Sequence, residues 1–205
     1  MLKRIFDFGC SLLGFIGLSA LFLAIAAAIL LDSRGPVFYR GLRVGRFGKP
    51  FRIFKFRTMV EDAERSGASS TADDDARVTR VGRLLRKYKL DELPQLLNVL
   101  MGDMSLVGPR PQVRWAVDLY TKEEKAVLNV RPGITDIASI HFRHEGELLR
   151  GSADPDKDYL EQIHPEKMRL CLDYIRTQSF RLDCKILRQT VAAVLFRPGA
   201  RKSEL

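Results

Sequence analysis

Lys89-Leu90-Asp91-Glu92-Leu93-Pro94-Gln95-Leu96-Leu97-Asn98-Val99-Leu100 is the stretch on which the reading of this chain turns. Leucines at 93, 96, 97 and 100 have helical spacing and predict a buried apolar stripe. Pro94 lacks an amide that the first helical turn leaves unsatisfied anyway, so it marks a helix start. Asp91 and Glu92 then fall at the helix N-terminus, where free amides and the dipole attract anions. That placement predicts a lowered pKa and an ionised carboxylate at neutral pH. Taken alone, such a pair is an ordinary helix cap and dipole complement.

The flanks argue for more. Upstream stand Arg77, Arg80, Arg83, Arg86 and Lys87; downstream runs Gly102-Asp103-Met104-Ser105-Leu106-Val107-Gly108-Pro109-Arg110-Pro111. With Asp75-x-Arg77, Arg86 ahead of LDELPQL, GDMSLVGPRP, and Arg131-Pro132-Gly133-Ile134-Thr135, the chain resembles the bacterial sugar transferases. These are monotopic phosphoglycosyl transferases that load a sugar phosphate onto polyprenol phosphate. The resemblance runs from about residue 3 to about residue 195.

A length of 205 residues leaves room for a real core. The net charge of +9 calls for an acidic partner, and charge alone leaves nucleic acid, anionic lipid and phosphorylated small molecules open. Cys10, Cys171 and Cys184 are far apart and suit a reducing compartment. His141 and His144 have no further Cys or His beside them, so they do not read as a metal site.

Residues 12–31 carry no charge, and as a single helix they would be about 30 Å long, enough for a bilayer core. Both flanks are basic, with Lys3 and Arg4 before and Arg34, Arg40, Arg43 and Arg46 after, which disfavours placing them on opposite sides. A re-entrant hairpin keeps both in the cytoplasm, and the resemblance implies that topology. Gly14, Gly17 and Ser19 are the available weak points. Relatives commonly have Ser-Pro at the membrane turn, whereas this chain has Ser19-Ala20, where the serine hydroxyl bonding back to a carbonyl would bend the helix.

Beyond Asp32-Ser33-Arg34-Gly35-Pro36, the segments Val37–Arg40 and Phe51–Arg57 alternate apolar and basic residues and predict a two-stranded ribbon. Lys55-Phe56-Arg57-Thr58-Met59 matches a family signature. Residues 61–76 are acidic and Ser/Thr-rich and read as a loop; Asp73-Asp74-Asp75 reads as solvated acids in preference to a metal triad. Residues 112–128 read as one or two helices, Ile134–Ile140 as a short buried strand, and 156–196 as helical. Where relatives often read GITGxAQVNGR, this chain has Gly133-Ile134-Thr135-Asp136-Ile137-Ala138-Ser139-Ile140-His141-Phe142-Arg143, which leaves the sugar open. Ile186, Leu187, Val191, Val194 and Leu195 form one stripe, suited equally to core or membrane surface.

The expected fold is α+β and mainly helical. Residues 1–34 form a re-entrant membrane helix-hairpin turning at Ser19. Residues 35–205 form a small cytoplasmic catalytic domain with a short β-ribbon and amphipathic interfacial helices. The resemblance implies transfer of a sugar 1-phosphate from a UDP-sugar to undecaprenyl phosphate at the cytoplasmic face of a bacterial inner membrane. Asp91 would attack as nucleophile, with Glu92 as general base or metal partner. Asp91 and Glu92 are the candidate ligands of Mg²⁺, and Lys55, Arg57, Arg86, Arg110 and Arg143 the candidate phosphate contacts. Inner-membrane lipids are expected partners, and a homodimer stays open. No nucleic acid is expected, because neither a groove-sized basic helix nor a stacking sheet is evident. Two competing readings are a non-catalytic membrane adaptor of a glycan pathway and a membrane-attached nucleic-acid binder. The first is disfavoured by the presence of Arg86, Asp91, Glu92 and Arg110 together.

Overall fold

A computed structural model describes residues 2–61, 63 and 75–196, without the side chains of 195 and 196. Most of the loop expected at 61–76, with Asp73, Asp74 and the Leu195 side chain, lies outside them. The chain is mainly helical with short strands, as expected. Helices α1 (Leu2–Gly17) and α2 (Ser19–Asp32) meet at Leu18 and are bent by 61°. The uncharged stretch is therefore shared between two helices, and neither is long and apolar enough to cross a membrane alone. The break sits at Leu18 (φ −96°, ψ 7°), off the helical well and flanked by Gly17 and Ser19. The bend thus needs no proline, and among the described residues no side-chain hydrogen bond from Ser19 accompanies it.

Helix α2 is apolar all round and splits its surface in two. Phe22, Ile25 and Ile29 pack with Phe56 and Leu85, whereas Leu23, Leu30 and Leu31 stay exposed. Helix α1 exposes Leu2, Ile5, Phe8, Leu12, Leu13 and Ile16, yet its polar residues are tied into the body of the protein. Lys3 Nζ donates to Asp183 Oδ2 at 2.6 Å and to the Val107 carbonyl at 3.1 Å. Asp7, 3% exposed, accepts from Ser105 Oγ at 2.7 Å and from the Leu106 amide at 3.3 Å.

The ribbon forms as two short antiparallel ladders. β1 (Phe38–Tyr39) pairs with β4 (Lys55–Phe56), and β2 (Leu42–Val44) with β3 (Pro50–Arg52). Between them the ladder is held from outside. Asn98, fully buried, accepts from the Phe54 amide at 2.8 Å and donates to the Arg52 carbonyl at 2.9 Å. Helix α3 (Arg80–Lys87) is capped by Thr79, which accepts from the Gly82 amide, and by Asp32 of α2, which accepts from the Val81 amide at 3.0 Å. The Val81 amide and the Thr79 hydroxyl hold the Asp32 carboxyl below its ordinary value.

A 3₁₀ turn at Leu90–Glu92 leads through Leu93 and Pro94, both in the right-handed helical region, into α4 (Gln95–Met101). Here the expected stripe is inverted. The buried residues are Asp91, Pro94, Gln95, Asn98 and Val99, while Leu93, Leu96, Leu97 and Leu100 are only half-buried. Leu93 and Leu96 pack with the cluster around Phe22, Ile25 and Ile29, so the apolar side faces the bent helix pair and the polar side faces the core. Gly102 (φ 93°) closes α4 in the left-handed conformation that glycine adopts freely, and Arg4 donates to the Val99 and Leu100 carbonyls at 2.5 and 3.0 Å.

Strands β5 (Ser105–Val107) and β6 (Gly133–Thr135) pair in parallel. A side chain on Gly133 would lie 2.1 Å from the Gly108 nitrogen, which is why glycine stands at this crossing. The segment between them holds α5 (Arg114–Asp118) and a 3₁₀ stretch at Glu124–Asn129. The strand expected over Ile134–Ile140 ends at Thr135, because Asp136 caps a new helix, α6 (Ile137–His141). Helices α7 (Glu145–Leu148), α8 (Pro155–Asp158), α9 (His164–Thr177) and α10 (Phe180–Phe196), with a π turn at Tyr159–Ile163, complete the chain. In α10 the apolar stripe divides: Ile186 is fully buried beside Val107 and Tyr174, whereas Val191 is exposed.

Asn98 ties α4 to the ribbon, so Asn98→Leu should strip the side-chain partner from the half-buried Phe54 amide and from the Arg52 carbonyl. A fully buried orphan costs about 1 to 3 kcal/mol, and part exposure keeps each of these two at or below about 2 kcal/mol. Equilibrium urea unfolding should show a loss of about 2 to 4 kcal/mol relative to wild type.

Candidate active site

Three elements converge on Glu92. Lys55 on β4 donates to Glu92 Oε1 at 2.9 Å. Arg110, in the loop after β5, forms a fork: Nη1 donates to Glu92 Oε2 at 3.1 Å and Nη2 donates to Oε1. The Arg110 amide is fixed in turn by Asp136 Oδ2 at 3.2 Å, so the cap of α6 also anchors the fork. The side chains of Lys55 and Glu92 are 18% and 12% exposed, so the pair keeps some contact with solvent.

Asp91 sits beside this saturated pair with the opposite balance. It is 7% exposed, and its Oδ1 is buried without a hydrogen-bond partner. Burial and then repulsion from Glu92 push its carboxyl up, with Lys55, Lys89 and Arg86 offsetting only part of that. Burial would raise Glu92 too, but Arg110, Lys55 and Lys89 carry it well below its ordinary value. Burial lowers Lys55 against the pull of Glu92, and Glu92 raises Arg110. The lowered pKa expected of both carboxylates at a helix N-terminus thus holds for Glu92 and is reversed for Asp91. The reason is that the 3₁₀ turn buries Asp91 next to a charge that has already taken the cations.

The backbone is strained where it delivers this pair. Lys89 has φ 56° and ψ 22°, left-handed for a residue with a side chain, and it immediately precedes the 3₁₀ turn.

The other expected phosphate contacts are distributed around the site. Arg86 Nε donates to Thr58 Oγ1 at 2.9 Å, next to the end of β4. Arg57 is 7% exposed and donates to the Ser33 carbonyl at 2.7 Å and to the Arg34 carbonyl, which fastens the exit of α2 to the ribbon. Arg143 lies in the turn after α6, its Nε donating to His144 Nε2 at 2.8 Å. Asp75 is engaged by Arg77 in a fork with contacts of 2.6 to 3.1 Å, which holds its carboxyl below the ordinary value. Ser19 opens α2 beside the bend.

Sequence reasoning overlooked Gln95, Asn98, Thr58 and Asp136. The signal for the first two lay inside the opening stretch: 91, 95 and 98 share one helical face, just as its leucines share another. Among the described residues no group of three or more His, Cys, Asp or Glu forms a metal cluster. The donor set still fits Mg²⁺ of the kind held by one or two carboxylates plus substrate phosphates. Asp91 Oδ1 is a hard oxygen without a partner, whereas both Glu92 oxygens are already taken by cations.

A model of the bacterial sugar transferase family matches residues 1–197. The uncharacterised sugar transferase EpsL of Bacillus subtilis is 38% identical over 203 residues, covering 99% of this chain and 92% of that protein. The UDP-N-acetylgalactosamine-undecaprenyl-phosphate N-acetylgalactosaminephosphotransferase of Aeromonas hydrophila is 39% identical over 98% of this chain, which spans 45% of that relative. The UDP-glucose:undecaprenyl-phosphate glucose-1-phosphate transferase of Caulobacter vibrioides is 39% identical, covering 97% of this chain and 71% of its own length.

Two outcomes follow from the geometry. Asp91 has a raised native pKa, so its contribution to stability is full below the unfolded value of about 3.9 and is lost as pH rises through the native value. Asp91→Asn does not titrate and should melt higher than wild type, the gap in Tm widening from pH 4 upward. Arg110→Ala removes a charge-assisted fork worth about 1.5 to 3 kcal/mol and should lower kcat/KM roughly ten- to a hundredfold. Arg110→Lys should rescue only part of it, since an ammonium cannot span both oxygens.

Proposed function

This chain belongs to the bacterial sugar transferase family, an assignment that makes it an enzyme of the phosphoglycosyl transferase class, and we propose that it transfers a sugar 1-phosphate from a UDP-sugar to undecaprenyl phosphate. The observation that carries the proposal is the pairing of a saturated carboxylate, Glu92, with an adjacent buried carboxylate, Asp91, that has a partnerless oxygen. A nucleophile needs an uncommitted lone pair, and Asp91 has one. A diphosphate needs cationic donors, and Arg110, Lys55 and Arg86 stand around that lone pair.

In the first half-reaction the Asp91 carboxylate forms a bond to the β-phosphorus, and the bond from that phosphorus to the bridging oxygen breaks, its electron pair leaving with UMP. In the second, an oxygen of undecaprenyl phosphate forms a bond to the same phosphorus and the carboxylate is released. Arg110 orients the diphosphate and spreads its charge, and Glu92 keeps Arg110 and Lys55 in place until the substrate enters. Glu92 also becomes the base nearest the incoming acceptor once substrate draws those cations away. Bound Mg²⁺, held by the substrate phosphates and by the Asp91 oxygen that does not attack, would offset the phosphate charge that otherwise repels a carboxylate.

The lipid acceptor calls for a membrane site, and the bent pair α1–α2 supports one. Among the described residues nothing covers its exposed Leu12, Leu13, Ile16, Leu23, Leu30 and Leu31, and lipid suits them. We place the pair as a re-entrant element at the cytoplasmic face of the inner membrane, with the remaining residues from about 35 onward as the catalytic part.

Two experiments test this reading. A panel of UDP-sugars should yield one that supports UMP release with undecaprenyl phosphate in detergent or nanodiscs; no release from any member would refute the activity. Leu2→Cys and Lys49→Cys, each in a background lacking native cysteines, should react only with a thiol reagent applied from the cytoplasmic side. Labelling of position 2 from the periplasm would establish a full span instead.

A further inference from the structure

Gln95 is 1% exposed, and its side-chain nitrogen has no hydrogen-bond partner. A buried amide donor left empty costs about 1 to 3 kcal/mol, so its persistence at such a site calls for a reason. It stands four residues after Asp91, at the start of α4 and beyond the 3₁₀ turn, on the buried side that also holds Asn98. At that end of the face every polar atom is used: Asn98 bonds Phe54, Arg52 and, at 3.4 Å, Asp103. The 3₁₀ turn runs on into α4 through right-handed Leu93 and Pro94, so Asp91 and Gln95 lie about one turn apart and both turn into the buried side. Asp91 and Gln95 thus leave an acceptor and a donor, complementary in kind, both buried and both unused.

We propose that the Gln95 side-chain amide is an oxyanion donor to the phosphoryl group that Asp91 attacks. A phosphorus bonded to the Asp91 carboxylate supplies both missing partners at once: a bond for the carboxylate oxygen and a non-bridging oxygen that accepts from Gln95 Nε2. The donor gains its partner only as the group transfers, which is the condition for stabilising the transition state and not merely the bound substrate. Arg110 and Lys55 do not duplicate it, because they leave Glu92 for the bound diphosphate already in the ground state. The inference rests on the reading of Asp91 as the nucleophile.

Gln95→Met keeps the length of the side chain and removes the donor. With a turned-over UDP-sugar, kcat should fall roughly 100- to 1,000-fold while KM for the UDP-sugar stays within a few-fold. The melting temperature should equal or exceed that of wild type, because a buried unpaired donor has been removed. Gln95→Glu donates only when protonated, so its activity relative to wild type should rise as pH is lowered from 8 to 5.5. This second variant also serves if the first fails to fold. Wild-type kcat in Gln95→Met, or a pH-independent ratio for Gln95→Glu, would overturn the assignment. Asp91→Asn assayed in parallel separates the failures. If it is inactive while Gln95→Met is fully active, only the role of Gln95 is wrong; if it turns over normally, the nucleophile itself is misassigned.

Discussion

Two adjacent carboxylates buried side by side cannot both be compensated by one set of cations, and the site depends on how that conflict is resolved. Arg110 and Lys55 both settle on Glu92, and Asp91 is left raised in pKa with a bare oxygen. The separate roles we propose for two chemically similar neighbours rest on this asymmetry. It is imposed by backbone: the left-handed Lys89 and the 3₁₀ turn rotate Asp91 inward and leave Glu92 at the edge that Lys55 and Arg110 can reach.

The same stretch organises the surroundings in both directions. Its half-buried leucines meet the bent helix pair, and its buried polar face meets the ribbon and the parallel strands. Helix α1 is bound into the body by Lys3, Arg4 and Asp7, which reach α10, the end of α4 and β5 respectively. Tyr174 Oη, bonded to Asp183 Oδ1 at 2.7 Å, extends the α1 anchor into α9. Helix α1 thus exposes apolar side chains along one face while Lys3, Arg4 and Asp7 on another fasten it to the body that carries the carboxylates.

Much of this was legible in the sequence. The gathering of cations about the Asp91–Glu92 pair follows from charge density, the break near Ser19 from the glycines, and the ribbon from alternation between 37 and 57. What could not be read depends on contacts distant in sequence. Helical spacing marks which residues share a face, not which face is buried, so the leucine stripe was assigned to the core that Gln95 and Asn98 occupy. Arg57 reads as a phosphate contact until the carbonyls of Ser33 and Arg34, brought back by α2, are seen to hold it. The sign of the Asp91 shift depends on Arg110, nineteen residues on, choosing its neighbour.

The account stands or falls on whether Asp91 carries the sugar phosphate. Protein incubated with its UDP-sugar in the absence of any lipid acceptor, quenched in acid and digested, can be mapped by mass spectrometry. The account predicts a sugar-phosphate adduct on the peptide containing residues 89–100, localised to Asp91 and discharged when undecaprenyl phosphate is added before the quench. An adduct on Glu92, or none in an enzyme that turns over with acceptor present, would contradict it.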